Sequence, residues 1–420
     1  KVSIRCSFSE KFPTHFFGGL DFGTSGARIS IINFKKELKY TNSVPYQYGF
    51  KNPNSWINSC EKLLDNLPLD IKKNIVNLAI SGTSGTLTAC TLRGDPIGEA
   101  IPYDQACNEN KILIESITGG EDHLQTPYSS LAKALKLIDK FGENIILRHQ
   151  SDLITGWFLK DWKYGEEGNN IKLGWSLIKE SWPKSYLKTS WQKCLPLIIK
   201  SGKILGQIDT DLAERFHLNK KILLVSGTTD SNAAFLAAGL GDEEGLTVLG
   251  TTIVVKKINK TPIKEKGITT HRVSDNWICG GASNAGCGIL SQFFSDLEIK
   301  ELSRQINPSK KTSLNLLPLN SRGERFPVNN PFLEPILSPR PVSDSLFLHG
   351  LFEGLARIEL KGWEKLYELT GSLPKRIVTT GGGSKNPQWR AIRERIINIP
   401  IISCKKTTSF GTALLAINAK

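Results

Sequence analysis

The sequence predicts an α/β protein of two domains, and three observations lead to this prediction. The chain has 420 residues, which is enough for two domains of ordinary size. Apolar strands that lead into Gly-Thr turns occur twice, at residues 19–32 and 246–255. Strands that run into short stretches of small residues occur three times, at 75–85, 222–230 and 376–383. Strand–turn–helix units of this kind are typical of α/β folds.

The two Gly-Thr segments share one local design. In each of them an apolar strand leads into the turn and a β-branched strand follows, which is the pattern of a hairpin. The first turn reads Gly23-Thr24-Ser25-Gly26 and the second reads Gly250-Thr251-Thr252. The sequence therefore predicts two similarly folded halves, with a boundary near residues 239–245.

The three strand–turn units place small residues just beyond the end of an apolar strand. Ligands of α/β proteins bind beyond the carboxyl ends of such strands. Helical patterns occupy residues 131–140 and 348–367, whereas residues 307–341, rich in Pro, Asn and Ser, are expected to form a long irregular excursion. The small-residue segments are Ser81-Gly82-Thr83-Ser84-Gly85, Ser226-Gly227-Thr228-Thr229-Asp230 and Gly381-Gly382-Gly383.

Composition and charge indicate which kinds of molecule the protein binds. The chain is 39% hydrophobic and 22% charged, and no stretch approaches the roughly 18 uninterrupted apolar residues of a membrane span. Lys plus Arg outnumber Asp plus Glu by 54 to 40, a net charge of +14, but the basic residues are scattered or paired. Such a surface favours anionic small substrates over nucleic acid. We therefore expect neither a membrane nor a nucleic-acid partner.

The cysteines and the first 17 residues indicate the cellular compartment of the protein. The eight cysteines form no Cys-x-x-Cys pair and no disulfide-like spacing, which favours reduced thiols in the cytoplasm. Residues 1–17 have no apolar signal-peptide core and are expected to form a flexible leader. Because this segment is basic, a plastid transit peptide is the alternative interpretation.

The first hairpin offers groups that suit a phosphate and a metal ion. Its turn exposes backbone N–H groups and the hydroxyls of Thr24 and Ser25, which suit phosphate oxygens. Asp21 precedes the turn, where a carboxylate can hold Mg²⁺ directly or through water. An ordinary tight hairpin with Asp21 as a turn residue is the alternative.

Asp230 and the third glycine segment are further candidates. Asp230 lies between an apolar strand and a helix, so it can be a general base for a hydroxyl or merely a first-turn acid that stabilises the helix. Gly382 and Gly383 allow close approach of the backbone to a ligand. Asn386 suits an N-cap and Pro387 the first helical position, and Trp389 offers a flat face to a nucleotide base or packs against the sheet.

The order of these motifs resembles that of the FGGY carbohydrate kinases, from about residue 18 to residue 420. This resemblance implies a two-domain, actin-like (ribonuclease H-like) fold with the sugar and ATP in the cleft between the domains. It implies an N-terminal sugar-binding domain at 18–238 and a C-terminal nucleotide-binding domain at 239–420. The motifs are Asp-Phe-Gly-Thr-Ser at 21–25, Ser-Gly-Thr-Ser-Gly-Thr at 81–86, Gly-Thr-Thr-Asp at 227–230, Leu-Gly-Thr-Thr at 249–252 and Gly-Gly-Gly-Ser-Lys-Asn-Pro-Gln-Trp at 381–389.

The resemblance also implies roles for individual residues, with ATP and Mg²⁺ as cofactors. Asp230 matches the catalytic base and Asp21 the magnesium-linked aspartate, which acts with it in catalysis. Asp21, Ser25, Ser84, Asp104 and Asp230 are the implied sugar-binding residues. The implied nucleotide-binding residues are Gly23, Thr24, Gly250, Thr251, Thr252, Gly382, Gly383, Asn386 and Trp389.

The expected reaction is ATP-dependent phosphorylation of a ketopentose at its terminal hydroxyl. Residues 101–107 carry Tyr103 and Gln105 where bacterial xylulose kinases have Trp and Arg, and in this respect the chain is similar to a plant and cyanobacterial subgroup whose implied substrate is D-ribulose. D-xylulose, glycerol or another polyol is the alternative acceptor. A catalytically weak ATP-binding module is a further alternative, and the oligomeric state is left open.

Overall fold

The computed structural model describes residues 15–119 and 122–419, and the chain divides into two compact units. Unit 1 runs to Ala237 and resumes at Thr407, whereas unit 2 runs from Ala238 to Lys406. Residues 1–14 of the expected leader lie outside the described residues. The last two residues of the expected leader, Phe16 and Phe17, belong to the first strand, and Phe16 is buried in the core.

Unit 1 contains most of the shorter elements. In chain order they are β1 (Phe16–Phe22), β2 (Gly26–Asn33), β3 (Leu38–Pro45), α1 (Pro53–Asp65), α2 (Leu69–Asn74), β4 (Ile75–Gly82), β5 (Leu87–Cys90), α3 (Lys111–Thr118), α4 (Asp122–Gln125), α5 (Ser130–Phe141), β6 (Ile146–His149), α6 (Gln150–Leu159), β7 (Tyr164–Glu166), α7 (Glu167–Asn170), β8 (Leu197–Ile199), β9 (Ile204–Gln207), α8 (Thr210–Arg215), β10 (Leu223–Thr229) and α9 (Asp230–Ala237). Short 3-10 helices cover Ile171–Leu173, Lys184–Lys188 and Ser190–Cys194.

Unit 2 follows, and the last helix belongs again to unit 1. The elements of unit 2 are β11 (Glu244–Leu249), β12 (Ile253–Asn259), β13 (Ile268–Val273), β14 (Asn276–Ala282), α10 (Cys287–Ser291), α11 (Asp296–Ser303), α12 (Asp344–Thr370), β15 (Arg376–Thr380), a 3-10 helix (Gly382–Lys385), α13 (Pro387–Ile397) and β16 (Ile401–Ser403). The last helix is α14 (Thr408–Ile417).

Each unit is built on a six-stranded sheet with the same central motif. The strand order is β3-β2-β1-β4-β10-β9 in unit 1 and β13-β14-β12-β11-β15-β16 in unit 2. In both sheets an antiparallel hairpin, β1–β2 or β11–β12, is followed by a parallel neighbour, β4 or β15. The predicted hairpins and the predicted α/β class are thereby confirmed.

The sheets are held by separate apolar cores. In unit 1, β1, β4 and β10 are largely buried; α6 packs against β4 and β10 and α1 against β2 and β3, around a core that includes Leu20, Ile80 and Trp56. Strands that are covered on both faces need continuous runs of apolar residues rather than an alternation of apolar and polar residues. In unit 2, the long helix α12 supplies Phe347, Phe352 and other side chains to the core.

Local sequence signals set the ends of the helices. The Ser343 hydroxyl accepts a hydrogen bond from Leu346 N (3.2 Å) at the start of α12, and Gly371 ends that helix with φ of 73°, a conformation that glycine adopts without steric cost. Asn386 and Pro387 begin α13, as predicted. Among the described residues, no helix combines the length and apolar character that a bilayer crossing requires.

Helix α14 packs within unit 1, although the expected C-terminal domain extended to residue 420. A Cβ atom on Gly19 of β1 would lie 2.2 Å from Ala413 N, and one on Gly411 would lie 1.8 Å from Ala233 O. The Ser30 and Ser409 hydroxyls are 2.7 Å apart. Glycines on both surfaces therefore allow α14 to lie directly against β1 and α9.

Candidate functional site

The carboxyl ends of three parallel strands bring the candidate catalytic acids of unit 1 to one edge of the sheet. Strand β4 lies between β1 and β10, with Asp21 opposite Ser81 and Ser81 opposite Thr228. Asp230 follows β10 directly as the first residue of α9. Because parallel strands end at the same edge, residues that are 209 positions apart, from 21 to 230, become neighbours.

The Asp21 carboxyl group occupies an unfavourable environment for its charge. Burial raises its pKa to about 7, and the negative charge of Asp230 adds to this effect, whereas a hydrogen bond from Ser81 and the charge of Arg28 oppose it. The Ser81 hydroxyl lies 2.8 Å from Asp21 Oδ1 and 2.7 Å from the Thr412 hydroxyl of α14. Asp21 is thus held in place and poised to titrate near neutral pH.

The raised pKa of Asp21 predicts a pH-dependent stability of the metal-free protein. The folded state keeps this proton up to about pH 7, whereas an unfolded aspartate releases it near 3.8, so the Asp21 contribution to the free energy of unfolding falls as the pH rises between these values. Since asparagine is neutral, Asp21→Asn should raise the Tm relative to wild type, by a margin that grows from pH 5 to pH 7 and then stays constant. Thermal unfolding with EDTA measures this margin, and an equal margin at pH 5 and pH 8 would contradict the assignment.

Asp230 is partly exposed at the start of α9. Its Oδ1 accepts a hydrogen bond from Ser231 N (2.6 Å), and the hydroxyl of the preceding Thr229 accepts from Asn232 N (3.2 Å) in the first turn of α9. The Thr229 cap thus fixes the start of α9, where the Asp230 side chain lies.

The first Gly-Thr turn closes β1 and β2 next to Asp21. Gly23 N donates to Gly26 O (3.0 Å), while Tyr46 donates from its hydroxyl to Gly23 O (2.8 Å) and from its backbone N–H to Ser25 O (3.1 Å). Thr24 and Ser25 are exposed at its tip. Tyr46, which the sequence did not single out, therefore fixes this turn.

Ser84 and Asp104 lie in two loops of unit 1, and each loop accepts a hydrogen bond from a different lysine. Ser84 is half-buried, and its carbonyl oxygen accepts a hydrogen bond from Lys172 Nζ (2.9 Å). Asp104 is exposed, and the preceding Tyr103 carbonyl accepts a hydrogen bond from Lys133 Nζ (3.1 Å). Burial raises the pKa of the Tyr103 phenol, and the charges of Asp104 and Asp230 add to this rise. These charges link the Asp104 loop electrostatically to Asp230.

In unit 2, the second Gly-Thr turn is tied to helix α10. Cys287 N donates to Gly250 O (2.8 Å), Gly288 N donates to Thr251 O (3.1 Å), and Asn320 Nδ2 also donates to Thr251 O (3.0 Å). Thr251 is exposed and Thr252 is half-buried. With its carbonyl groups engaged by α10, the turn is a rigid loop of unit 2.

A cavity of about 800 Å³ lies beside this turn within unit 2. Helices α10, α11 and α13 and the glycine segment after β15 line it, including Gly382, Gly383, Asn386 and Trp389. A Cβ on Gly383 would lie 2.5 Å from the Trp389 ring, whereas one on Gly382 would meet no atom within 4 Å. Gly383 is therefore needed for packing, and Gly382 leaves an open approach to the backbone.

Asn386 and Trp389 shape the cavity from α13. Asn386 Oδ1 accepts from Trp389 N (2.9 Å), and Asn386 Nδ2 donates to the Ser303 hydroxyl of α11 (2.8 Å). Trp389 is 1% exposed, and its ring stacks on Phe352 with centroids 5.0 Å apart and planes 9° apart. One face of the indole is thus occupied by Phe352, and both side chains line the cavity.

A buried ion pair fixes α13 to the rest of unit 2. Arg393 donates to both carboxylate oxygens of Glu359 on α12 (2.6 and 2.8 Å), and each side chain is 1% exposed. Thr247 of β11 donates to the same carboxylate (2.6 Å), and Arg393 donates to the Thr379 hydroxyl of β15 (3.0 Å). The pair therefore joins two helices to two strands behind the cavity.

The two groups of candidate residues suit different ligands. Carboxylate oxygen is a preferred ligand of Mg²⁺, and a cation at Asp21 would stabilise the charged carboxylate against the burial and the lesser repulsion from Asp230 that raise its pKa. The cavity of unit 2 has the size of a small-molecule site, with apolar walls and a glycine segment that exposes backbone. The residues present thus fit a Mg²⁺ ion in unit 1 and the base and ribose of a nucleotide in unit 2.

Comparison with protein families and sequences identifies relatives of the whole chain. A model described as the FGGY family of carbohydrate kinases, C-terminal domain, matches residues 245–419. The xylulose kinase of Lactococcus lactis subsp. lactis (strain IL1403) is 22% identical over 440 residues, which cover 95% of this chain and 86% of that protein.

Comparison with solved structures identifies the fold. The structure of a xylulose kinase from Brucella ovis has a TM-score of 0.82 and 19% identity, covering 96% of this chain and 90% of that one. Plasmodium falciparum glycerol kinase with ADP has a TM-score of 0.79 and 16% identity, covering 96% of this chain and 89% of that one. The predicted two-domain, actin-like fold is confirmed by these likenesses.

Proposed function

We propose that the chain is a carbohydrate kinase of the FGGY family, whose C-terminal domain model matches residues 245–419, and that it transfers the γ-phosphate of ATP to the terminal hydroxyl of D-ribulose. The observation that carries the proposal is the pair of carboxyl groups, Asp21 and Asp230, at the carboxyl ends of β1 and β10. A kinase of this kind needs one carboxylate for the proton of the acceptor and one for the metal ion.

Asp230 is the proposed general base. It accepts the proton of the terminal hydroxyl as that oxygen attacks the γ-phosphate, which typically contributes about 10²–10⁴-fold to the rate. Asp21, steadied by Ser81, holds the metal ion and contacts the sugar. Mg²⁺, when bound with the nucleotide, supplies positive charge that stabilises the transferring phosphoryl group. Ser25, Ser84 and Asp104 bind the remaining hydroxyls of the acceptor.

The nucleotide is proposed to bind in unit 2, where Gly250, Thr251 and Thr252 offer N–H groups and hydroxyls to the phosphates. In unit 1, Gly23 and Thr24 of the first Gly-Thr turn are the proposed nucleotide-binding residues and offer the same kinds of group. The adenosine occupies the cavity beside Gly382 and Gly383. Asn386 keeps α11 and α13 together around it, and Trp389 forms part of its wall.

D-ribulose is supported by the residues of segment 101–107. Tyr103 and Gln105 stand where bacterial xylulose kinases have Trp and Arg, and the Asp104 loop lies within electrostatic range of Asp230. The second candidate acceptor is D-xylulose, the C3 epimer of D-ribulose, because the sequence relatives are xylulose kinases.

A panel of acceptors tests the proposed function. ADP release from MgATP is measured with D-ribulose, D-xylulose and glycerol at matched concentrations, and we expect the highest kcat/KM with D-ribulose. A higher value with D-xylulose would move the assignment to the second candidate, and comparable values for several sugars would overturn the ribulose proposal. The absence of any sugar-dependent ADP release would contradict the kinase activity itself.

A further inference from the structure

Lys172 lies beside Ser84, one of the proposed sugar-binding residues of unit 1, and has no role in the function proposed above. Its Nζ donates a hydrogen bond to Ser84 O (2.9 Å), in the loop that follows β4. A Cβ on Gly85, whose φ is +96°, would lie 3.0 Å from Lys172 Cδ and 3.3 Å from Nζ. The absence of a side chain at Gly85 therefore leaves the space through which the lysine reaches Ser84.

The backbone that carries Lys172 is fixed by a buried polar network. Glu166 Oε1 accepts from Gly168 N (2.7 Å) and Oε2 from Asn169 N (2.8 Å), which caps the short helix α7. Asn169 Nδ2 also donates to the Ser151 hydroxyl of α6 (3.0 Å). The 3-10 turn that holds Lys172 follows α7 directly. The position of the ammonium group is thus set by the core of unit 1 rather than by a loose loop.

A comparison with the neighbouring Lys133 separates a structural lysine from one that is available to a ligand. Lys133 is 0% exposed, and its Nζ donates to two carbonyl oxygens, those of Tyr103 (3.1 Å) and Tyr128 (2.7 Å). Lys172 is half-buried, and within the described part of the chain its Nζ donates to Ser84 O alone. An ammonium group has three N–H donors and no acceptor. Lys172 therefore has donors left for a ligand.

The charge of Lys172 complements that of the proposed base. Burial lowers the pKa of Lys172, and the negative charge of Asp230 opposes this lowering. The charge of Lys172 acts on the nearby Lys133, whose pKa burial and this repulsion lower, and the charges of both lysines add to the burial that lowers the pKa of His149. A ligand placed between Ser84 and Asp230 would thus meet a carboxylate that accepts and an ammonium group that only donates.

We infer that Lys172 is a substrate-binding residue that selects ketoses over polyols, an inference that rests on the proposed function. Its ammonium group donates a hydrogen bond to the carbonyl oxygen of the open-chain sugar while Asp230 receives the terminal hydroxyl. A carbonyl oxygen accepts only and therefore complements a group that donates only. The hydroxyl of a polyol at the same carbon must turn its own proton away to make this bond.

The test compares each ketopentose with its reduced form in wild type and Lys172→Met. For D-ribulose against ribitol, and for D-xylulose against xylitol, the ratio of kcat/KM values is expected to fall about tenfold or more in the variant, since a hydrogen bond from a charged donor is lost for the ketose. Lys172→Gln keeps an N–H donor without the charge, so its ketose-to-polyol ratio of kcat/KM should lie between those of wild type and Lys172→Met. Lys73→Met, at an exposed lysine of α2, is the matched control.

Two further measurements keep this test independent of folding and of turnover. Thermal unfolding and MgADP binding establish that each variant is folded. The rise in Tm produced by D-ribulose without ATP is expected in wild type and should be lost in Lys172→Met. An unchanged ketose-to-polyol ratio, or a Tm rise retained in the variant, overturns the role of Lys172 while the kinase function stands. A Tm rise that depends on Lys172 in a protein without sugar turnover supports the ammonium contact and overturns the proposed function instead.

Discussion

Replacing Asp230 with asparagine is expected to lower kcat with D-ribulose by about 10²–10⁴-fold, because the amide cannot accept the proton of the attacking hydroxyl. Asparagine is almost isosteric with aspartate and is equally suited to a helix start, so α9 should keep its geometry. The KM for MgATP should change little, since the nucleotide is assigned to other residues. Steady-state ADP release and single-turnover kinetics with D-ribulose measure the loss.

The control for Asp230→Asn is a second aspartate at a helix start in unit 1. Asp209 Oδ1 accepts from Leu212 N (3.0 Å) at the start of α8, so Asp209→Asn makes the same chemical change far from the acceptor. This variant should retain wild-type turnover. If Asp230→Asn also retained turnover, another group would have to be the base, and the role proposed for the carboxylate pair would fail.

Replacing Glu359 with alanine is expected to destabilise unit 2 by about 3–5 kcal/mol, the usual effect of removing one partner of a buried ion pair. Arg393 would then be left charged in the core, and the Thr247 hydroxyl would lose its acceptor. Urea unfolding followed by far-ultraviolet circular dichroism and by nucleotide binding reports the change.

Two variants separate the loss of the ion pair from general effects on α12. Glu368 lies on the same helix with its side chain 64% exposed and pairs with Lys365, so Glu368→Ala should change the free energy of unfolding by less than about 1 kcal/mol. The double variant Glu359→Leu with Arg393→Met should be more stable than Glu359→Ala, because no unpaired charge is buried. A double variant less stable than Glu359→Ala would contradict this account of the site.

The elements that the sequence predicts correctly are those with strong local signals. The hairpins around Gly23 and Gly250 follow from apolar strands and turn residues, and α13 follows from Asn386 and Pro387. The sequence also marks the end of the strand before Asp230 as a ligand-binding position, whereas the parallel pairing that brings Asp21 to the same edge is seen only in the structure.

The features that the sequence does not reveal depend on contacts between distant segments. Lys172 lies outside the strand–turn motifs and Lys133 lies in an ordinary helical pattern, and Glu359 and Arg393 resemble the surface charges of amphipathic helices until both helices are packed. The sequence predicts that Trp389 contacts either a nucleotide base or the sheet, and only the three-dimensional arrangement places its ring on Phe352. In each case the partner, rather than the residue itself, determines the environment.

The return of α14 to the first sheet has a consequence for biosynthesis. The ribosome makes the 169 residues from 238 to 406 before it makes Thr407, which takes on the order of 10 s at ordinary rates of translation. During that interval Gly19 and Ser81 lack their neighbours on α14, so unit 1, where the sugar is proposed to bind, lacks its last helix, whereas unit 2, where the nucleotide is proposed to bind, can already fold. We therefore expect the nascent chain to acquire its ability to bind nucleotide before its ability to bind sugar.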